Sequence, residues 1–443
     1  MAARVKRFLL AGLLGVLLSA CGGDDLDATT GGPVPSTTTT GHTGGGGSGA
    51  EGGSGGSGAT GGDGGSGGNG GSTTTVTSLE ALLEGLRTSL EKTLHEQSLE
   101  GGWPAPVEGG HLFVSVLPGL NKVAGDHDAW AGTDMTVEDG FAWVVLDVQP
   151  GNRYKFTNLV DYLPDPWGRS YTYDEFGEMT LVAPQDTHFD RYFQIGDAQM
   201  EPRTVRILVP AQAPTHVLYA HDGQNLFDPE AFFGGWKIQD SAPPGMLVVG
   251  IDNTPARMDE YTHVPDEIGG PGTIGGLGDA YADFLQDTVR PLVNARYGEP
   301  SVVGTMGSSL GGLIAFHIAD RYPGEYAFAA SLSGTMGWGS IGAGVHNETM
   351  IERYAAHGHQ STVLYLDSGG DGGACGDTDN DGVDDDVDQG DNFCENAQLE
   401  GVLLSIGYVG GTDLFYVWDP GAPHNEAAWA GRVDVPLGVF ADL

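Results

Sequence analysis

The spacing of apolar residues changes along the chain, and each change marks a different kind of element. Leu79, Leu82, Leu83, Leu86, Leu90 and Leu94 recur at the three-and-four spacing of a single helical face, and Thr77 with Glu80 supplies a capping-box start. The spacing predicts one amphipathic helix over 78–100 that packs on the domain C-terminal to it, with a partner-binding helix as the alternative. Between 101 and 185 the pattern shortens: strand-length runs such as 111–116 and 141–146 alternate with Gly, Pro and Asp turns, which predicts a small all-β sandwich. From Arg203 onward, apolar runs at 204–209, 216–220, 246–251, 301–303, 329–332, 362–366 and 414–418 alternate with helical stretches, clearest at 279–297 and 312–321. That alternation predicts an α/β domain over 186–443 whose mostly parallel sheet is covered on both faces. Its length is enough for a core of its own.

Before residue 78 the helical and strand periods are both absent. Arg4, Lys6 and Arg7 precede an apolar run at 8–18 and the small-residue site Leu18-Ser19-Ala20-Cys21, so residues 1–20 read as an export signal, too short to serve as a stable membrane span. A cysteine directly after such a site resembles a bacterial lipobox, in which Cys21 becomes the acylated N-terminus; an ordinary secretory signal is the alternative. Residues 21–77 are Gly, Ser and Thr with almost no large apolar side chain, the composition of a disordered linker that tethers a folded body to a membrane surface. The expected location is the bacterial cell envelope, reached by export and lipid anchoring, with Gly22 after Cys21 compatible with outer-membrane sorting.

The formal charge of −41 changes the list of partners. Nucleic acid and anionic lipid head groups are repelled by such a field, and loss of the three cations of the signal makes the balance more negative still. The field suits solubility outside the cell, or multivalent cations. Of three cysteines, lipidation of Cys21 leaves Cys375 and Cys394, which an oxidising compartment would join as a disulfide. Two free thiols are the alternative.

The strongest chemical signal is Gly307-Ser308-Ser309-Leu310-Gly311, set between a strand-like run and a helix-like run. Gly-x-Ser-x-Gly is weak on its own in a chain with 75 glycines, but at a strand-to-helix corner it reads as a nucleophile elbow. An acyl-transfer serine needs an imidazole base, an acid to orient it and N–H donors for the oxyanion, in the chain order Ser, Asp or Glu, His. His424, in the loop after the last strand, stands where the base belongs. The acid should follow the strand ending at Leu366; Asp371 in Ser368-Gly369-Gly370-Asp371-Gly372 is best placed, with Asp367, Asp377 and Asp391 competing in a segment crowded with carboxylates. For the oxyanion, one donor should be the N–H of Leu310. The other should come from His221-Asp222-Gly223-Gln224-Asn225, with Gln224 chosen and Gly223 close behind.

These motifs together carry a resemblance. Residues 219–228 (YAHDGQNLFD), 249–253 (VGIDN) with Glu260-Tyr261-Thr262, 307–312 (GSSLGG) and 424–429 (HNEAAW) are similar to the putative-esterase family of α/β-hydrolases, over about 190–440 and in order. That family includes esterase D, enterochelin esterases, feruloyl and acetyl-xylan esterases and the mycolyltransferases. The resemblance implies an α/β-hydrolase fold with Ser309 as nucleophile, His424 as base, Leu310 and Gln224 as oxyanion donors and Asp371 as acid. Residues 123–130, 154–156 and 163–168 likewise resemble an early-set, immunoglobulin-like domain related to glycogen-binding modules, where Trp130 and Trp167 would stack on a sugar or fill the sandwich core.

The chain departs from the family pattern at 372–392. Asp377, Asp379, Asp381, Gly382, Asp385 and Asp388 reproduce positions 1, 3, 5, 6, 9 and 12 of a calcium loop, with the Val383 carbonyl at position 7, and resemble a thrombospondin type 3 repeat. A solvated acidic loop is the bland alternative. The resulting expectation is a serine carboxylesterase acting on an acyl or feruloyl carbohydrate ester or a siderophore ester, with no cofactor for catalysis and a structural Ca2+. A catalytically inactive surface protein that binds calcium and glycan, or an acyltransferase to a sugar acceptor, are the rivals.

Overall fold

A computed structural model describes residues 78–268, 272–342, 345–386 and 390–443. The expected export signal, Cys21, the tether, Thr77 and Asp388 lie outside the described residues.

The C-terminal sheet contains β1 (His188–Ile195), β2 (Arg203–Val209), β3 (His216–His221), β4 (Met246–Ile251), β5 (Val302–Ser308), β6 (Phe328–Leu332), β7 (Val363–Ser368) and β8 (Leu414–Trp418). Their spatial order is β8-β7-β6-β5-β3-β4-β2-β1. From β4 through β8 every neighbouring pair is parallel, while β2 runs antiparallel to both β4 and β1. The parallel part is buried on both faces: Val217 and Tyr219 point into one apolar cluster with Leu247 and Val249, and Leu218 and Ala220 into the other with Met246 and Val248. After β3 the chain steps to one side to form β4, then crosses to the other side for β5. Such a reversal opens a crevice at the carboxyl ends of β3 and β5, where sheets of this class place their ligands.

In the N-terminal part strands form where alternation was seen, and they lie in two sheets that share a core, with Phe113 and Ala142 of one clustered with Val123, Tyr154 and Phe156 of the other. A four-stranded sheet holds Gly110–Ser115 and Ala142–Leu146, while Ser170–Asp174 pairs with β1 through Tyr171 and Phe189, so the remaining strands continue the C-terminal sheet. The pairing covers what would otherwise be an open edge of β1. The expected single helix is two, α1 (Leu79–Thr88) and α2 (Leu90–Glu100), broken at Ser89 with φ −155°. Gly85 explains the close return: a Cβ there would lie 2.9 Å from Thr93 Oγ1 on α2. The leucine face still packs as its spacing requires, with Leu82, Leu83, Leu86 and Leu94 buried beside Trp103 and Phe141. No helix among the described residues is long and apolar enough to cross a membrane.

Candidate active site

β5 ends at Ser308 and α3 (Leu310–Arg321) begins two residues later, leaving Ser309 alone at the corner with φ 56° and ψ −127°. A non-glycine residue in that region is strained, and it stays there because its surroundings allow nothing else. A Cβ on Gly307 would sit 2.5 Å from the carbonyl carbon of Gly311, and one on Gly312 would overlap Ser331 Oγ. The Ser309 N–H donates to Leu332 O on β6 at 2.9 Å. As the first residue of α3, Leu310 has an N–H with no intrahelical acceptor, which leaves it unused within the helix.

The loop after β3 is held with equal firmness. Asp222 takes φ 60°, a short 3-10 turn follows at Gly223–Asn225, and a Cβ on Gly223 would lie 2.5 Å from the Gly250 backbone. The Asp222 carboxylate accepts from Arg257 Nε and Nη2 at 2.7 and 2.8 Å and from Asn253 Nδ2 at 2.5 Å. Burial works against its charged form, but these partners, Arg257 foremost, outweigh burial and hold it below the usual carboxylate range. Gln224 Oε1 accepts from the Asn253 N–H at 3.1 Å, fixing the residue expected to supply the second oxyanion donor. Asp222 also brings the loop to the elbow, since its Oδ2 lies 3.3 Å from where a Gly311 Cβ would be. His221 is buried between Tyr281 and Thr305, and burial pushes its imidazole down to about 3, so it is a neutral structural group.

His424 lies in the loop after β8, and its Nδ1 is 2.5 Å from Asp391 Oδ1. A carboxylate only accepts, so Nδ1 carries the proton and Nε2 is left as the basic nitrogen. The partner is therefore Asp391 and not Asp371, which is exposed. The reason is local. After β7 the backbone of Gly370 exchanges hydrogen bonds with Gly421 and Ala422, which turns the chain outward, and the insertion returns only at Asp391. A Cβ on Gly369 would lie 2.5 Å from Asp391 Oδ2, so the returning carboxylate occupies the space beside the end of β7. Oδ2 accepts from the Gly369 N–H at 2.6 Å and from Ser333 Oγ at 2.7 Å. Ser333 Oγ accepts in turn from Trp429 Nε1 and Arg432 Nη2, so its own hydrogen has Asp391 as its target. Asp367, another of the competing acids, pairs with Arg432 at 3.0 Å; burial, against the pull of Arg432, pushes it up to about 6. Ser333 follows β6, and its neighbour Leu332 accepts the Ser309 N–H, so the elbow and the acid are supported by adjacent residues.

The family model described as Putative esterase matches residues 197–435, more than half of the chain. The chain belongs to this esterase family. Among curated proteins, it is 28% identical over 134 residues to the uncharacterized protein YbbA of Bacillus subtilis, covering 29% of this chain and 53% of that one. It is 25% identical over 167 residues to the siderophore triacetylfusarinine C esterase of Aspergillus fumigatus, covering 34% and 56%. The chain thus matches about half the length of these curated relatives. Among solved structures, an IroE-like serine hydrolase from Shewanella oneidensis superposes with a TM-score of 0.45 at 20% identity, over 57% of this chain and 80% of that one. The enterobactin esterase FES from Shigella flexneri gives 0.43 at 14%, over 75% and 93%.

Within this esterase-family chain, the insertion forms a stapled loop. Cys375 and Cys394, the latter on α4 (Phe393–Ile406), are joined in a disulfide that encloses Asp391. The carboxylates of Asp377, Asp379 and Asp381 come within 4.8 Å of one another, and Gly382, directly after them, takes φ 94°. Asp385 instead accepts from the Thr378 N–H at 2.7 Å. Val383 packs toward Gly337 across the loop. Trp167 lies edge-on to Phe193 at 5.5 Å, partly buried against the N-terminal core, and half-buried Trp130 donates to Asp126 at 3.3 Å. Sequence reasoning missed Ser333 and Arg432; a serine after one strand and an arginine in the last turns carry no pattern that marks them.

Proposed function

We propose that this protein is a carboxylic ester hydrolase working through Ser309, His424 and Asp391. Ser309 Oγ attacks the ester carbonyl while His424 Nε2 takes its proton, forming the C–O bond of a tetrahedral intermediate. The N–H groups of Leu310 and Gln224 face the oxyanion, and Asp391 stabilises the imidazolium. The imidazolium returns its proton to the departing alcohol as the old ester bond breaks. Water, deprotonated by His424, then cleaves the acyl-enzyme and releases the acid. The observation that carries this reading is the strained Ser309 backbone at the β5–α3 corner together with a His424–Asp391 pair 2.5 Å apart. Family membership supports the same chemistry. A fluorophosphonate probe tests it: Ser309 should label and the Ser309→Ala chain should not, whereas labelling elsewhere or not at all contradicts it.

The substrate is proposed to be an acyl or feruloyl carbohydrate ester or a siderophore ester, the latter favoured by the name of the Aspergillus relative. Catalysis is proposed on a protein exported and anchored through a lipid on Cys21.

We also propose a structural Ca2+ held by Asp377, Asp379, Asp381, the Val383 carbonyl, Asp385 and Asp388. The fit of the donor set is supported by the convergence of three carboxylates and by Asp379, whose carboxyl is pushed up by desolvation and by its neighbours Asp381 and Asp385. A hard cation would relieve that repulsion. Calcium should raise the melting temperature of chelator-treated protein; no change, with no ion detected by elemental analysis, rules this out.

A further inference from the structure

The loop that continues from the oxyanion turn holds two side chains that stability does not explain. Phe232 and Phe233 are 52% and 59% exposed, with their rings edge-to-face at 4.5 Å. Phe233 is also held at φ 51° and ψ 24°, a conformation unfavourable for a bulky residue. Strain and exposed aromatic surface in one residue both cost stability, and such combinations cluster where a ligand is gripped. The loop is fixed on the site side. The Trp236 N–H donates to Asn225 O in the oxyanion turn at 2.9 Å, and a Cβ on Gly235 would lie 2.5 Å from Asp228 O. On its other side the Phe232–Gly234 turn packs against α5 (Glu426–Ala430), which starts two residues after His424. Asn225 Nδ2 reaches Glu426 Oε1 at 3.3 Å, tying the two loops together. An aromatic series thus runs beneath the rim, with Trp236 6.1 Å from Trp429 and Trp429 5.0 Å from His424.

We propose that Phe232 and Phe233 form the specificity platform of the catalytic site and receive an uncharged aromatic ring carried by the ester. The inference rests on the proposed ester hydrolysis and narrows its substrate to an ester whose aromatic ring is held by these two residues. The turn is joined to the expected oxyanion turn through Trp236 and Asn225 and packs on the helix that follows His424, so a ring received there would belong to the ester presented to Ser309. The chain's formal charge of −41 and Glu426 beside the turn disfavour an anionic ring.

The test compares kcat/KM for methyl acetate, methyl benzoate and benzyl acetate in the full-length protein and in the Phe232→Ala/Phe233→Gly double variant. Glycine accepts the backbone angle of Phe233, so the variant should keep its melting temperature. The wild type should prefer one of the two aryl esters over methyl acetate. A preference for methyl benzoate assigns the ring to the acyl group, and a preference for benzyl acetate assigns it to the alcohol. In the variant that aryl-to-methyl ratio should fall about tenfold, mainly through KM, as expected for loss of an aromatic contact. A ratio that does not change, or a wild type that labels at Ser309 but shows no aryl preference, overturns the platform and leaves the hydrolase reading standing. Absence of Ser309 labelling would instead defeat the hydrolase reading.

Discussion

Ser309 and the Gln224 turn are fixed by backbone packing against β3, β4 and β6, whereas Asp391 reaches His424 from the far end of a disulfide-closed insertion. On the nucleophile side the geometry follows from missing side chains: Gly307, Gly223 and Gly312 leave gaps that any Cβ would close. On the acid side it follows from hydrogen bonds to one carboxylate, from Gly369, Ser333 and His424. The contrast teaches that a carboxylate needs a position in space, and not a position in sequence, to meet an imidazole. An insertion can carry it some twenty residues along the chain, provided that the strand end it must reach keeps room for it.

The difference can be broken from either side. The largest loss should come from the packed side, where Ser309→Ala removes the attacking atom and should lower kcat by roughly 10⁴-fold or more with the fold intact, measured on any ester the wild type turns over. A smaller effect should come from opening the staple. Replacing both Cys375 and Cys394 with serine loosens the segment that presents Asp391, and we expect kcat to fall by about 10- to 100-fold with little change in KM, the mark of a displaced catalytic group. If KM rises instead and kcat holds, the loop shapes the binding surface and does not support the acid.

The smallest effect concerns pH. Glu395, on α4 just after the disulfide, is buried and accepts from the Gly337 N–H at 2.6 Å. Burial foremost, with Asp386 beside it, pushes its carboxyl well above the ordinary range. A carboxyl raised in the folded state contributes stability that is complete below its unfolded pKa and is lost as pH rises through the folded value. Glu395→Gln keeps the shape and removes that loss. The melting temperature of the variant relative to the wild type should therefore increase with pH, by a few degrees between pH 5 and 9. A constant difference across that range would show that Glu395 is not titrating in the fold.

The sheet was legible because its strands are buried on both faces and so read as unbroken apolar runs, as at 246–251. Ser309, Leu310, Gln224 and His424 were legible as candidates because each sits at a strand end whose position in the order is set by topology. Asp391 was not singled out because seven acids crowd 371–386 alone, and which of them returns to β7 is decided by the Gly370–Ala422 backbone pairing, which leaves no local trace. The break at Ser89 was hidden for a related reason: the leucine spacing runs straight through it, and only the Gly85–Thr93 approach reveals that the helix folds back. Likewise, alternation found the N-terminal strands but could not say that Tyr171 would pair with Phe189 and merge two sheets.

The acid's relocation is tested most directly by measuring kcat for Asp391→Asn and Asp371→Asn on the same ester. The structure predicts a loss of roughly 10⁴-fold for Asp391→Asn, because an amide in place of the carboxylate favours the wrong imidazole tautomer, and a change of less than about twofold for exposed Asp371→Asn. A large loss in Asp371→Asn with near-normal turnover in Asp391→Asn would contradict it.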